Sequence, residues 1–234
     1  GLDPADRVAI IPCSSPGAGG DVSACCEQED WSAFPGGDKL RHVTAPMALA
    51  STEVPAGGAW ALCYCLRGAC GINALSVTPL GLLITVGPAT DSQNTECIAG
   101  IPCQSQALIG NLLAADDRVA LVDGTCGLAS RDSTIGADTD KYLDDGLQFS
   151  LSALDMRKGG VWSICYCTHT YRDCALAVDF GALVGSLEIR GPGDIVFTTC
   201  RLGSECVLGP FIGHDISTTD RVLLVVENGL CGFT

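Results

Sequence analysis

The cysteines come first among the residues that could do chemistry: there are fifteen in 234 residues, at spacings that recur. Cys63, Cys65 and Cys70 form C-x-C-x4-C, and Cys165, Cys167 and Cys174 form C-x-C-x6-C. Cys97 with Cys103, and Cys200 with Cys206, are C-x5-C pairs; the others are Cys13, the vicinal Cys25 and Cys26, Cys126 and Cys231. Thiolates can ligate zinc, but zinc sites usually bring C-x2-C pairs, often with histidine completing the set. No C-x2-C occurs here, and His42, His169 and His214 lie far apart. The pattern instead predicts disulfides formed in an oxidising compartment, which means an extracellular or cell-surface protein. The odd total leaves at least one thiol free or bridged to another chain.

Other chemistry is thinly supplied. Nucleophilic catalysis needs a serine or cysteine with a partnered histidine. Gly203-Ser204-Glu205 lacks the second glycine of a G-x-S-x-G elbow, and no enzyme activity is expected. Carboxylates are paired at Asp116-Asp117, Asp138 with Asp140, and Asp144-Asp145. Adjacency in sequence does not set two carboxyl groups ~5–10 Å apart across a cleft, as glycoside hydrolysis requires. Calcium is the one ion these acids could hold. Asp138, Asp140, Asp144 and Asp145, followed by Gly146, offer hard oxygens and a turn, although not in the order of a twelve-residue EF-hand loop. An ion there would stiffen a junction; the competing reading is a solvated acidic linker. No other cofactor is expected.

Charge narrows the partners. Asp and Glu number 27 against 13 Lys and Arg, a net charge of −14, which argues against nucleic acid or an anionic membrane. No apolar run reaches the ~18 residues that span a bilayer. The start Gly1-Leu2-Asp3-Pro4, without methionine, reads as a processed or excised product.

The elements that must position the cysteines repeat. Gly57-Gly58-Ala59-Trp60-Ala61-Leu62-Cys63-Tyr64-Cys65 returns as Gly159-Gly160-Val161-Trp162-Ser163-Ile164-Cys165-Tyr166-Cys167, 102 residues on. Leu83 and Gly87-Pro88 match Leu187 and Gly191-Pro192 at offset 104, and the C-x5-C pairs match at 103. A third element occurs three times: Asp6-Arg7-Val8, Asp117-Arg118-Val119 and Asp220-Arg221-Val222, each followed by apolar residues and a cysteine. Two bodies share three such strands, so one is surplus. The apolar runs are short, β-branched and punctuated by Gly-Gly, Gly-Pro and Asp-Gly, which predicts strands.

The expected fold is therefore all-β: two tandem immunoglobulin-like, disulfide-rich β-sandwich modules with an N-terminal extended arm. Two frames are open, with the Asp-Arg-Val strand closing each module or opening it. Because the sequence stops just after Cys231-Gly232, the closing frame is preferred. It gives an arm at 1–30 carrying the surplus strand, module 1 at 31–130 and module 2 at 131–234.

Strand alternation puts Trp60, Leu62 and Tyr64 on one face and Ala61, Cys63 and Cys65 on the other; the second copy behaves alike. The two sulfurs of each motif lie ~6–7 Å apart and need separate partners. One is expected to pair with Cys70 (or Cys174), the other with Cys126 (or Cys231) on the closing strand. Cys97–Cys103 and Cys200–Cys206 would staple short loops. Cys13 can take one of Cys25 and Cys26, leaving the other for an intermolecular bridge or as a free buried thiol.

Gly-Gly-x-Trp-x-Leu/Ile-Cys-Tyr-Cys, then Gly-Pro, Cys-x5-Cys and Asp-Arg-Val…Cys-Gly, resembles the cysteine-rich repeats in large surface and secreted proteins of alveolate protists. The resemblance covers both bodies, about 200 residues. It implies tandem extracellular β modules in adhesion or surface structure, and no catalytic residues. Ser14 to Arg41, with Cys25-Cys26, departs from it.

A surplus strand invites β-addition to a neighbour, and a heterologous contact that does not close propagates into a filament. The sequence thus predicts a structural subunit assembled head to tail through its N-terminal arm. Val8, Ile10, Cys25, Cys26, Trp31 and Phe34 are the expected inter-subunit contacts. Expected partners are copies of the chain or neighbouring repeat modules, with a carbohydrate or other surface ligand as a further candidate. The rival reading is an adhesin- or receptor-type binding module excised from a longer tandem-repeat protein.

Overall fold

A computed structural model of the chain describes residues 6–13, 22–27, 40–42 (main chain only), 56–65, 77–89, 92–128, 140–193, 199–222 and 224. Among them the fold is all-β, with one short helix, α1 (Ser23–Cys26), and one 3-10 turn at Ala177–Asp179.

The first sheet has four strands. β1 (Arg7–Pro12) lies between β2 (Leu40–His42) and β3 (Gly58–Cys65), and β3 pairs on its other side with β4 (Val77–Thr85), all antiparallel. β5 (Gly87–Pro88) continues from β4 and pairs with β8 (Gly110–Asn111). Between those two come β6 (Thr95–Ile98) and β7 (Cys103–Gln104).

The second sheet runs β10 (Asp140–Tyr142), β9 (Arg118–Val122), β12 (Gly160–Cys167), β13 (Ala182–Pro192) and β14 (Gly213–His214). β6 pairs with β13 in parallel. β11 (Ser150–Leu151) pairs with β7.

The two sheets share one register. Arg7 faces Cys65, Val8 faces Tyr64 and Ala9 faces Cys63. Arg118 faces Cys167, Val119 faces Tyr166 and Ala120 faces Cys165. Trp60 lies opposite Leu83 and Trp162 opposite Leu187; each ladder then slips by a bulge, after Leu62 and after Ile164. The same sequence signals produce the same backbone, down to the irregularity.

Both faces of the second sheet are covered, which fits short apolar runs rather than strict polar alternation. In the second sheet Trp162, Ile164 and Tyr166 point into the largest cluster, with Leu108, Val119, Leu121, Phe149, Met156 and Leu187. The cysteine face packs Cys165, Cys167, Cys174 and Phe180 with Ala120 and Val122. In the first sheet Ala9, Ile11, Ala61 and Cys63 gather around Cys13, Cys25 and Cys26, whereas the aromatic face has only Ile10 and Trp60 buried among the described residues.

The disulfides correct part of the sequence reading. Cys167–Cys174, Cys97–Cys103 and Cys200–Cys206 pair as expected. Cys26, however, bonds Cys63, and Cys25 bonds Cys13, so neither vicinal thiol is left for a second chain. Cys126 bonds Cys165 of the C-Y-C motif that follows it, not the one before it. Cys65 is disulfide-bonded too; Cys70 and Cys231 lie outside the described residues.

Strand order is corrected on the same grounds. β1 and β9 each pair with the C-Y-C strand downstream of them, so the Asp-Arg-Val strand opens a body instead of closing one. A boundary near residue 130 would divide the sheet that holds β9 and β12. Both edges of β1 are occupied within the chain, and Val8 and Ile10 are buried, so these residues serve their own sheet and not a neighbour's. Trp31 and Phe34 lie outside the described residues.

Candidate assembly edges

The parallel addition of β6 to β13 is the feature that joins residues far apart in sequence. Thr95 to Ile98 lie along Leu187 to Arg190. The Gln93 amide donates to the Val184 carbonyl at 3.0 Å, and the Ala99 amide to the Arg190 carbonyl at 2.8 Å. Asn94 Oδ1 accepts from the Ser186 amide at 2.9 Å and hydroxyl at 3.0 Å. Arg190 reaches Glu96 at 3.1 Å, an exposed pair of small energetic weight. At Gly185 an added Cβ would sit 2.5 Å from the Gln93 carbonyl oxygen, so this close approach requires glycine.

The chain then crosses the aromatic face. Ser105 and Phe149 exchange main-chain and side-chain hydrogen bonds at 3.0 Å, and the Leu108 amide donates to the Leu147 carbonyl at 2.9 Å. Leu108 is thereby carried into the main core. Next comes a left-handed residue, Leu112 at φ 53°, and then a turn in which the Ala114 amide donates to Asp117 at 2.8 Å.

Asp117 is the electrostatic centre of this half. It is fully buried and accepts from the Ala114 amide, the His169 amide at 2.9 Å and the Tyr166 hydroxyl. Burial, reinforced by the hydrogen bond to Asp117, pushes the Tyr166 phenol well above its ordinary value of 10.0. The folded protein therefore keeps this proton at pH values where the unfolded chain releases it. The stabilisation is complete below pH 10 and declines as pH rises past it. Urea unfolding is expected to show that decline, and Tyr166→Phe should flatten it between about pH 10 and 12. Tyr64 makes the equivalent hydrogen bond to Asp6 in the first sheet.

Residues 199–222 repeat the local shape of 96–119. Gly203 and Asp215 have φ values of 80° and 51°, where Gly100 and Leu112 have 77° and 53°. The Ser217 amide donates to Asp220 at 2.9 Å, as Ala114 does to Asp117. The surroundings differ. Phe211 is 47% exposed where Leu108 is 5%, and Leu224 is 77% exposed where Leu121 is 2%.

Three of the four carboxylates considered for calcium are described. Asp140 lies 4.0 Å from Arg118, Asp144 Oδ1 accepts from the amides of Gly146 and Gln148 at 2.9 Å, and Asp145 is exposed. Asp138 falls outside the described residues, and among those described no three metal-ligating side chains converge. Nearby, Asp155 holds Lys141 at 2.9 Å; burial opposes its charge, but hydrogen bonds from Lys141 and Ser152 keep its carboxyl below the ordinary range. Trp162 and Tyr166 are buried in the core.

Sequence reading missed β6 and the crossing segment as a joining device. The Gly185 position was the available signal, a glycine inside a strand, which marks close backbone approach. No family model, no curated protein and no solved structure matches the chain.

Proposed function

We propose that this chain is a structural subunit of an extracellular filament or surface coat, built from tandem disulfide-stapled β modules of immunoglobulin-like size and extended head to tail by strand addition. The observation that carries this reading is the third Asp-Arg-Val segment. Its turn at Ser217–Asp220 is formed, yet Val222 is 60% exposed, whereas Val119 at the same place in the second copy is fully buried. An apolar segment with its turn set and no partner strand among the described residues is suited to pairing with a neighbour.

The disulfides support a secreted or surface setting, since such cross-links persist where thiols are not kept reduced. A heterologous contact also suits a filament, because it does not close on itself. The Asp-Arg-Val strand of the N-terminal arm, β1, is paired on both sides within its own sheet, so the third segment is the one this reading uses.

Sedimentation under non-reducing conditions tests the reading. Mass is expected to grow with concentration beyond 24.1 kDa. A mass constant at that value would instead support an adhesin- or receptor-type module engaging a carbohydrate or other surface ligand.

A further inference from the structure

We infer that residues 199–211 of one copy dock on the outer edge of β4 and on the aromatic face of the first sheet of a second copy, in the parallel geometry by which β6 joins β13, while Gly213–His214 stay paired with their own β13. This rests on the head-to-tail reading above and supplies its contact.

Among the described residues the first sheet lacks cover that the second has. Leu62, Tyr64 and Leu83 are half-buried, while Ile164, Tyr166 and Leu187 at the same register positions are buried. The second sheet owes that cover in part to β6 and to Leu108. Among the described residues β4 pairs only with β3, and its Leu80 and Ile84 are 56% and 52% exposed. Gly81 stands opposite Leu62 as Gly185 stands opposite Ile164, just before the same bulge. An added Cβ at Gly185 meets the Gln93 main chain, whereas at Gly81 it meets nothing within 4 Å. The φ of +153° at Gly81 favours glycine in its own right, but no described atom lies beside it.

The tail carries the missing piece. It holds the C-x5-C staple, the same turn geometry and exposed apolar groups at the positions the second sheet buries. Applying the observed register places Thr199 beside Ile84, Cys200 beside Thr85 and Arg201 beside Val86, with no like charges opposed. Phe211 then takes the place of Leu108, over Trp60, Leu62 and Leu83. The docked segment ends before Gly213–His214, which pair with their own β13, and the Asp-Arg-Val segment beyond them pairs elsewhere than beside β3, where β1 already lies. Head and tail of one chain are thus complementary, and a second copy is the occupant that provides both.

Two full-length variants test this. Phe211→Asp spoils the tail and leaves the head intact; Ile84→Asp does the reverse. Both residues are exposed, so the variants should keep the wild-type circular dichroism spectrum. Each is expected to weaken self-association about tenfold or more, as charges buried at a contact do. Mixed in equal amounts they should form a one-to-one dimer and nothing larger, since one good tail meets one good head. If the wild type assembles but the variants assemble equally well, or their mixture stays monomeric, this contact is wrong and the subunit reading stands. If the wild type is monomeric at every concentration, both fall.

Discussion

Gly159→Ala is expected to lower stability by about 3 kcal/mol, a large loss for one added methyl group. The new Cβ would lie 2.1 Å from the Gly191 carbonyl oxygen and 2.7 Å from its carbon, both main-chain atoms that no rotamer change can move. Retreat is blocked by the Gly159 amide, which donates to the Pro192 carbonyl at 2.6 Å and pins the start of β12 to the end of β13. Gly57 meets Gly87 in the same way, at 1.9 Å, and its amide donates to the Pro88 carbonyl at 2.5 Å, so Gly57→Ala should behave alike. Gly181→Ala is the control. Its Cβ would find one atom, at 3.8 Å, and the position is exposed, so the change should stay within about 0.5 kcal/mol. Urea midpoints at unchanged slope measure all three. An equal effect at Gly181 and Gly159 would show that the Gly-Gly and Gly-Pro segments do not touch.

Those glycines illustrate what the sequence made legible. Gly-Gly-x-Trp-x-Leu/Ile-Cys-Tyr-Cys is a local pattern, and period-two alternation suffices to put Trp162, Ile164 and Tyr166 on one face and Cys165 and Cys167 on the other. The short-range staples were legible for the same reason: six or seven residues of separation leave few partners for Cys103 or Cys174. Strand order was not. Alternation fixes the side from which Cys165 leaves β12, but not whether the strand it meets lies upstream or downstream. The Asp-Arg-Val segment reads identically in either frame. Nor does any local signal record that Thr95–Ile98 lies along Leu187–Arg190, because parallel pairing carries no hairpin turn to announce it. The candidate edges follow from that pairing, so they became visible only when the two sheets could be compared residue by residue.

Loss of the Cys126–Cys165 bond is the other change expected to have a large effect, and it separates the two strand orders. The cross-link spans 39 residues and ties the segment after β9 to the middle of β12. Chain-entropy arithmetic for a loop of that size gives about 4 kcal/mol, against about 2 kcal/mol for the six-residue span of Cys97–Cys103. Alanine at both positions of each pair is preferable to serine, which would bury a hydroxyl at the fully buried Cys165. The Cys126→Ala/Cys165→Ala protein should therefore melt well below the Cys97→Ala/Cys103→Ala protein. The opposite order would mean that β9 is held to β12 by its ladder and by the Asp117–Tyr166 hydrogen bond, with little help from sulfur. Non-reduced peptide mapping adds an independent reading. A peptide containing Cys126 should be recovered joined to the one containing Cys165, and recovery with the Cys63 peptide would return the Asp-Arg-Val strand to the end of the body before it. That outcome would also make the Asp220-Arg221-Val222 segment the expected closing strand of the second sheet.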